Sequence, residues 1–199
     1  MPGAESGGCG RAGGGPDTGE YIEAVGRAGE ASRRAYTYSY RGGHCSQSTI
    51  RGLMEAYGEA DNGIFRALCA FAGGCGCESD AGCGAYSAGA YFLGMHYGLN
   101  LEDIGADNPP LRNRGDEVMG LVKQLHDRFV QAYGSVICER IHRRLFGRPF
   151  YINDPQQHGL LIDLARRNKD REGFVWCAHV CRDAARWTVE ILESFRERR

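Results

Sequence analysis

The side chains of this sequence with the greatest capacity for chemistry are its nine cysteines. The densest group lies in residues 71–98, FAGGCGCESDAGCGAYSAGAYFLGMHYG, where Cys75, Cys77 and Cys83 accompany a glycine-rich loop. We expect a helix to begin at about Cys83 and to end at Gly98. A thiol at a helix N-terminus lies beside unpaired N–H groups and the positive end of the helix dipole, which favour the thiolate. Because the thiolate attacks disulfides and binds metals, Cys83 is the candidate catalytic residue.

Four further cysteines occupy positions that suit a shared site. Cys45 and Cys138 fall near the starts of predicted helices, and Cys177 and Cys181 lie one turn apart on the apolar face of the last helix. Helix N-termini that converge on one point offset the negative charge of a thiolate-bound cluster. An iron–sulfur cluster usually takes four cysteine thiolates, and separate helices of this chain can supply that number. A zinc site would more often contain C-x2-C pairs, and the sequence has none.

The predicted site includes more thiols than four, together with two supporting histidines. The cysteines predicted to hold the metal are Cys45, Cys75, Cys77, Cys83, Cys138, Cys177 and Cys181. His44 adjoins Cys45 and His179 lies inside CAHVC, so we expect both histidines to support the site from outside the ligand set. Cys69 lies on an apolar helical stripe, which predicts a buried core position. The remaining histidines are expected at the surface or at helix ends: His96, His126, His142 and His158.

The elements that must position these residues are helices. The apolar periodicity favours an all-α fold, a compact bundle of about six or seven helices with the Gly/Cys-rich loop before the central helix. Residues 1–18 are predicted to form a disordered Gly-rich tail, and residues 19–199 a single helical redox domain. Tyr36, Tyr38 and Tyr40 alternate at period two, which indicates an extended strand or linker. A polar loop is expected up to Asp116, and the last helix is expected to begin at about Glu172.

Composition limits the classes of function. The net charge of −1 provides no global attraction to nucleic acid or to an anionic membrane. No apolar run is long enough to span a membrane, and no secretory signal is visible. We therefore expect a cytoplasmic protein, in which unusual cysteine usage points to metal binding or redox catalysis rather than to structural disulfides. The expected partner is a redox protein or a small-molecule substrate, and a homodimer is left open.

The order of the cysteines carries a resemblance to a known family. With CGAYSAG after the glycine-rich loop and SVICERI after a long helix, the cysteines at 45, 83, 138 and 177 or 181 resemble the redox-active C-GCAxxG-C-C family from about residue 43 to residue 193. The chain differs from the pattern at Ala88, where the family has Gly, and in the extra thiols Cys75 and Cys77. The resemblance implies a small helical protein with redox activity and a metal or iron–sulfur centre.

Three hypotheses of function follow from these observations. In the first, the cysteines hold an iron–sulfur cluster, and the protein is an oxidoreductase if one iron stays open or an electron carrier if all irons are saturated. In the second, a metal-free dithiol/disulfide oxidoreductase uses Cys83 as its nucleophile and Cys75 or Cys77 as the resolving thiol. In the third, the thiolates bind a soft metal ion without redox turnover.

Overall fold

The helical class is confirmed by the structure, a computed structural model that describes residues 18–103, 109–168, 171 and 173–199. The described residues form eight α-helices, one or two more than expected, and no β-strand. The helices are α1 (Thr18–Tyr40), α2 (Cys45–Ala56), α3 (Asn62–Ala67), α4 (Gly84–Tyr97), α5 (Pro109–Tyr133), α6 (Cys138–Phe146), α7 (Pro155–Asn168) and α8 (Cys177–Glu197). No helix of the described ranges is long and apolar enough to cross a membrane. The tail prediction for residues 1–18 lies outside the described residues except at Thr18, where α1 begins.

The centre of the bundle is α4, which packs against α2, α5 and α8, while α1 packs against α2 and α8. The buried residues in its first half are small, namely Gly84, Ala85, Ala88 and Gly89, and Gly89 lies against α8. A Cβ on Gly89 would lie 2.5 Å from the Thr188 hydroxyl oxygen and 2.8 Å from Leu125 Cδ2. Phe92 and Leu93 continue the buried face of α4 into the apolar core.

The tyrosine-rich segment is helical, so the predicted strand or linker is wrong. Tyr36 and Tyr40 stack with ring centroids 5.9 Å apart, because residues four apart are neighbours on a helix. Ala35 is fully buried where α1 meets α2, and a Cβ on Gly52 of α2 would lie 2.8 Å from the Ala35 nitrogen. This close helix pairing stabilises the helical conformation over the local alternation of tyrosines.

Two predicted boundaries also differ from the structure. The expected polar loop before Asp116 is wrong in its second half because α5 begins at Pro109, and proline is favourable at a first helical position. The last helix begins at Cys177 rather than near Glu172, which lies outside the described residues. Trp176, the residue before α8, has φ −142° and ψ −177°. This conformation is extended, so the helix begins only at the next residue.

Candidate functional site

Four cysteines lie at the N-termini of four different helices. Cys45, Cys138 and Cys177 are the first residues of α2, α6 and α8, and Cys83 is the N-cap residue of α4. The predicted helix starts near Cys45, Cys83 and Cys138 are therefore confirmed. Each of these thiols is close to backbone N–H groups that lack a partner within their own helix.

The same four thiols share one cavity. Its volume is about 230 Å³. The cysteines that line it are Cys45, Cys77, Cys83, Cys138 and Cys177. Three histidines and several apolar side chains complete the walls, among them His44, His142, His158, Ala85 and Ile141. The tertiary structure thus brings together five of the seven cysteines that the sequence analysis selected as ligands.

A short backbone pairing fixes the starts of α4 and α6 beside each other. The Cys83 N–H donates a hydrogen bond to the Val136 carbonyl (2.8 Å), and the Cys138 N–H donates to the Ala81 carbonyl (3.0 Å). An isolated antiparallel bridge between Gly82 and Ile137 accompanies these bonds. The spacing of Cys83 and Cys138 across the cavity is therefore set by main-chain hydrogen bonds rather than by side-chain packing alone.

The Gly/Cys-rich loop is a run of left-handed backbone. Residues 73–77 all have positive φ, including 65° at Cys75 and 64° at Cys77. For residues with a Cβ this conformation costs roughly 1–2 kcal/mol each, so the surrounding structure must hold it. Hydrogen bonds from the Gly76 N–H to the Ala70 carbonyl (2.8 Å) and from the Cys77 N–H to the Ala72 carbonyl (2.9 Å) do so. As a result Cys77 lines the cavity, while Cys75 is exposed and does not.

Backbone groups surround the sulfur of Cys45. The Gly73 N–H points at this sulfur across 3.5 Å, and a Cβ on Gly84 would lie 2.6 Å from it. Burial raises the pKa of the Cys45 thiol, and the N–H groups of Gly73, Ser46 and Gly84 partly oppose this rise. These donors would stabilise a thiolate at this position once another force removes the proton.

Burial also raises the pKa of other thiols that line the cavity. Burial first, and then the negative charge of a Cys45 thiolate, raises the pKa of Cys83 to about 12. Burial likewise raises the pKa of Cys138 and Cys177. The N–H groups of Ala85 and Tyr86 at the start of α4 lower the pKa of Cys83, as expected for a helix N-terminus, but desolvation outweighs them in the protein without a bound metal.

A histidine that the sequence analysis assigned to the surface lies between two of the cysteines. His142 is only 3% exposed, and its Nε2 lies 3.5 Å from Cys177 Sγ and 3.9 Å from Cys138 Sγ. Burial lowers the pKa of His142 to about 4, so the ring is neutral. The prediction of a surface or helix-end position is wrong here. The available signal was the four-residue spacing of Cys138 and His142, which places both on one helix face.

The two predicted supporting histidines lie in different environments. His44 is exposed at the start of α2 and lines the cavity, with its Nδ1 3.4 Å from Cys69 Sγ. His179 does not line the cavity. Its Nδ1 accepts a hydrogen bond from the Trp176 N–H (3.3 Å), so it stabilises the first turn of the helix that carries Cys177.

Neither Cys69 nor Cys181 lines the cavity, but Cys69 is exposed whereas Cys181 is buried. Cys69 is exposed, so the predicted core position is wrong, since Leu68 takes the buried place in the 3-10 helix Leu68–Phe71. Cys181 is fully buried among apolar residues, and its thiol lies 3.6 Å from the Cys45 carbonyl oxygen as a donor. Of the two cysteines in CAHVC, Cys177 is the one that faces the cavity.

The donors of the cavity are thiols distributed around an open volume. Within the described part of the chain, no three His, Cys, Asp or Glu side chains are grouped closely enough to hold one metal ion, and the eight described cysteines form no disulfide. The thiols instead surround a volume many times the roughly 10–15 Å³ that one water molecule requires. An iron–sulfur cluster is held by cysteine thiolates, which is the donor type that lines this cavity. The residues present therefore fit such a group.

Fold and site together define a class of protein: a helical bundle with cysteines from four helix N-termini around one cavity. The family model described as "Putative redox-active protein (C_GCAxxG_C_C)" matches residues 43–191. The chain belongs to this family, which confirms the resemblance found in the sequence. Neither the search of curated proteins nor the search of solved structures found a match.

Proposed function

We propose that this redox-active protein binds an iron–sulfur cluster through Cys45, Cys83, Cys138 and Cys177. The observation that carries the proposal is the position of these four cysteines, each at the N-terminus of a different helix and all lining one cavity. Bound there, the cluster would supply one-electron chemistry. The four helix dipoles, and the N–H groups of Gly73, Ser46 and Gly84 beside Cys45, would offset the negative charge of the thiolates.

The protein's own residues would hold the ligands and limit the access of water. Gly73 and Gly84 let backbone approach Cys45, and Ala85 and Ile141 provide apolar walls. Cys77 is a fifth thiol, and its left-handed backbone brings it to the cavity at a conformational cost that suggests a use. It can complete the ligand set in place of another thiol, or remain free beside a small-molecule substrate. We accordingly propose a redox partner protein or a small molecule as partner, and a cytoplasmic setting that keeps the thiols reduced.

The test is the iron and acid-labile sulfide content of protein purified without oxygen, with its visible absorption spectrum. We expect stoichiometric iron and sulfide in the unmodified protein. Each of the Cys→Ser variants at 45, 83, 138 and 177 should lose most of the iron. Cys69→Ser is the matched control, because Cys69 is exposed and does not line the cavity, and it should retain the cluster.

The result also separates the alternatives. Iron and sulfide that remain absent after chemical reconstitution would overturn the cluster proposal. Tight binding of zinc or copper(I) without sulfide would then support a soft-metal protein, and rapid thiol–disulfide exchange at Cys83 would support the dithiol oxidoreductase. The raised pKa of Cys83 argues against that last mechanism, which requires a thiolate near neutral pH.

A further inference from the structure

The hydrogen bonds around His142 define which of its ring nitrogens carries the proton. The Phe150 N–H points at His142 Nδ1 across 3.3 Å, so Nδ1 must be an acceptor without a proton. In a neutral imidazole the proton then lies on Nε2. Nε2 is the nitrogen that faces the sulfurs of Cys177 and Cys138.

The neighbouring structure holds this orientation. The carbonyl of Phe150 accepts a hydrogen bond from the buried Ser79 hydroxyl (2.8 Å), so the backbone of Phe150 is held at both its N–H and its C=O. The rings of Phe146 and Phe150 pack on the imidazole, with centroids 5.4 Å and 6.2 Å from it. If the ring turned over, the buried Phe150 N–H would lose this acceptor, which disfavours the flipped orientation.

From this geometry we propose that His142 is a positioning residue that donates its Nε2–H to the sulfurs of Cys177 and Cys138. It is not a metal ligand, because the nitrogen that faces the cavity has no free lone pair in this tautomer. The effect of this donor on redox chemistry rests on the proposed function, because it requires a bound cluster. A hydrogen bond to a ligand sulfur stabilises the more negative, reduced state of a cluster and so raises its reduction potential. The neutral tautomer itself is a property of the protein chain alone.

The first experiment examines the tautomer in metal-free protein. Nitrogen-15 NMR of histidine-labelled protein distinguishes protonated from unprotonated ring nitrogens, and His142→Gln identifies the signal. We expect a neutral ring with the proton on Nε2 at pH 7. A proton on Nδ1, or a charged imidazolium, would overturn the proposal whether or not the protein binds a cluster.

The second experiment measures the midpoint potential and the iron content of cluster-loaded protein. His142→Leu removes the donor and should move the potential to a more negative value with iron content unchanged. His142→Gln retains an N–H at a similar distance along the side chain and should give a smaller shift. An unchanged potential in the Leu variant would overturn the proposal, and so would loss of iron from folded Leu and Gln variants alike, since that result would identify a ligand. Absence of iron from the unmodified protein would refute the proposed function. The NMR experiment alone would then decide whether His142 Nε2 carries the proton and donates it to the cysteine sulfurs.

Discussion

Gly84 and Cys45 lie so close together that only a glycine fits at position 84. A Cβ there would lie 2.6 Å from Cys45 Sγ and 2.8 Å from the Phe71 carbonyl oxygen. The start of α4 therefore rests directly against the thiol that starts α2. This contact explains why a glycine follows Cys83. It also links the positions of the two candidate ligands Cys45 and Cys83, because Gly84 adjoins one and touches the other.

The substitution Gly84→Ala should damage both the site and the fold. The added methyl group must displace the Cys45 sulfur or the Phe71 backbone, and overpacking of this kind costs roughly 1–3 kcal/mol. We expect a lower free energy of unfolding by denaturant titration and a loss of iron after anaerobic purification. Gly94→Ala is the matched control on the same helix, since a Cβ there meets no atom within 4 Å. It should leave iron content unchanged and raise the stability by about 0.5–1 kcal/mol. Full iron content in Gly84→Ala would contradict the proposed role of Cys45.

The contact between Gly89 and Thr188 should affect stability without affecting the site. Gly89→Ala brings a Cβ to 2.5 Å from the Thr188 hydroxyl oxygen, so we expect a loss of about 1–3 kcal/mol. Thr188→Ala removes that oxygen, so the double variant should be more stable than the sum of the two single losses by at least about 0.5 kcal/mol. Denaturant unfolding of all four proteins measures the coupling. Simple additivity would mean that α4 and α8 do not meet through this pair.

Alkylation rates should distinguish the buried thiols from the exposed ones. Because the pKa of Cys83 is raised from 9.0 to about 12, its thiolate fraction at pH 8 should fall by about a thousandfold. We expect iodoacetamide to modify the exposed Cys69 and Cys75 long before Cys83 in metal-free protein, as followed by peptide mass spectrometry. If Cys83 were modified first, the dithiol mechanism would be favoured over the cluster.

The metal-free protein should lose stability in alkaline solution. Cys83 remains a neutral thiol in the folded state up to about pH 12, whereas in the unfolded chain it ionises near 9.0. Above pH 9 the unfolded state therefore binds fewer protons than the folded state, and the free energy of unfolding falls as the pH rises toward 12. Unfolding midpoints at pH 8 and pH 10.5 test this expectation. Cys83→Ala should reduce the difference between the two midpoints, and an equal difference in the variant would contradict the assignment.

Local sequence patterns were enough to predict the helical class and the family. Glycines and apolar periodicity mark helix ends over a few residues, so the starts near Cys45, Cys83 and Cys138 could be predicted. The same local view failed at Tyr36 and Tyr40, where period-two alternation suggested a strand. Packing of α1 on α2, which involves residues distant in sequence, outweighed that pattern.

Which residues line the cavity depends on tertiary packing and could not be predicted from the sequence. Cys177 and Cys181 are one turn apart on one helix, yet only Cys177 lines the cavity. The position of His142 in the cavity wall also depends on tertiary packing, since the segment around Phe150 covers the imidazole and buries it. The pKa of Cys83 is raised in spite of the N–H groups at the start of α4, because desolvation depends on all the atoms that surround a group. Those neighbours are known only once the helices are assembled.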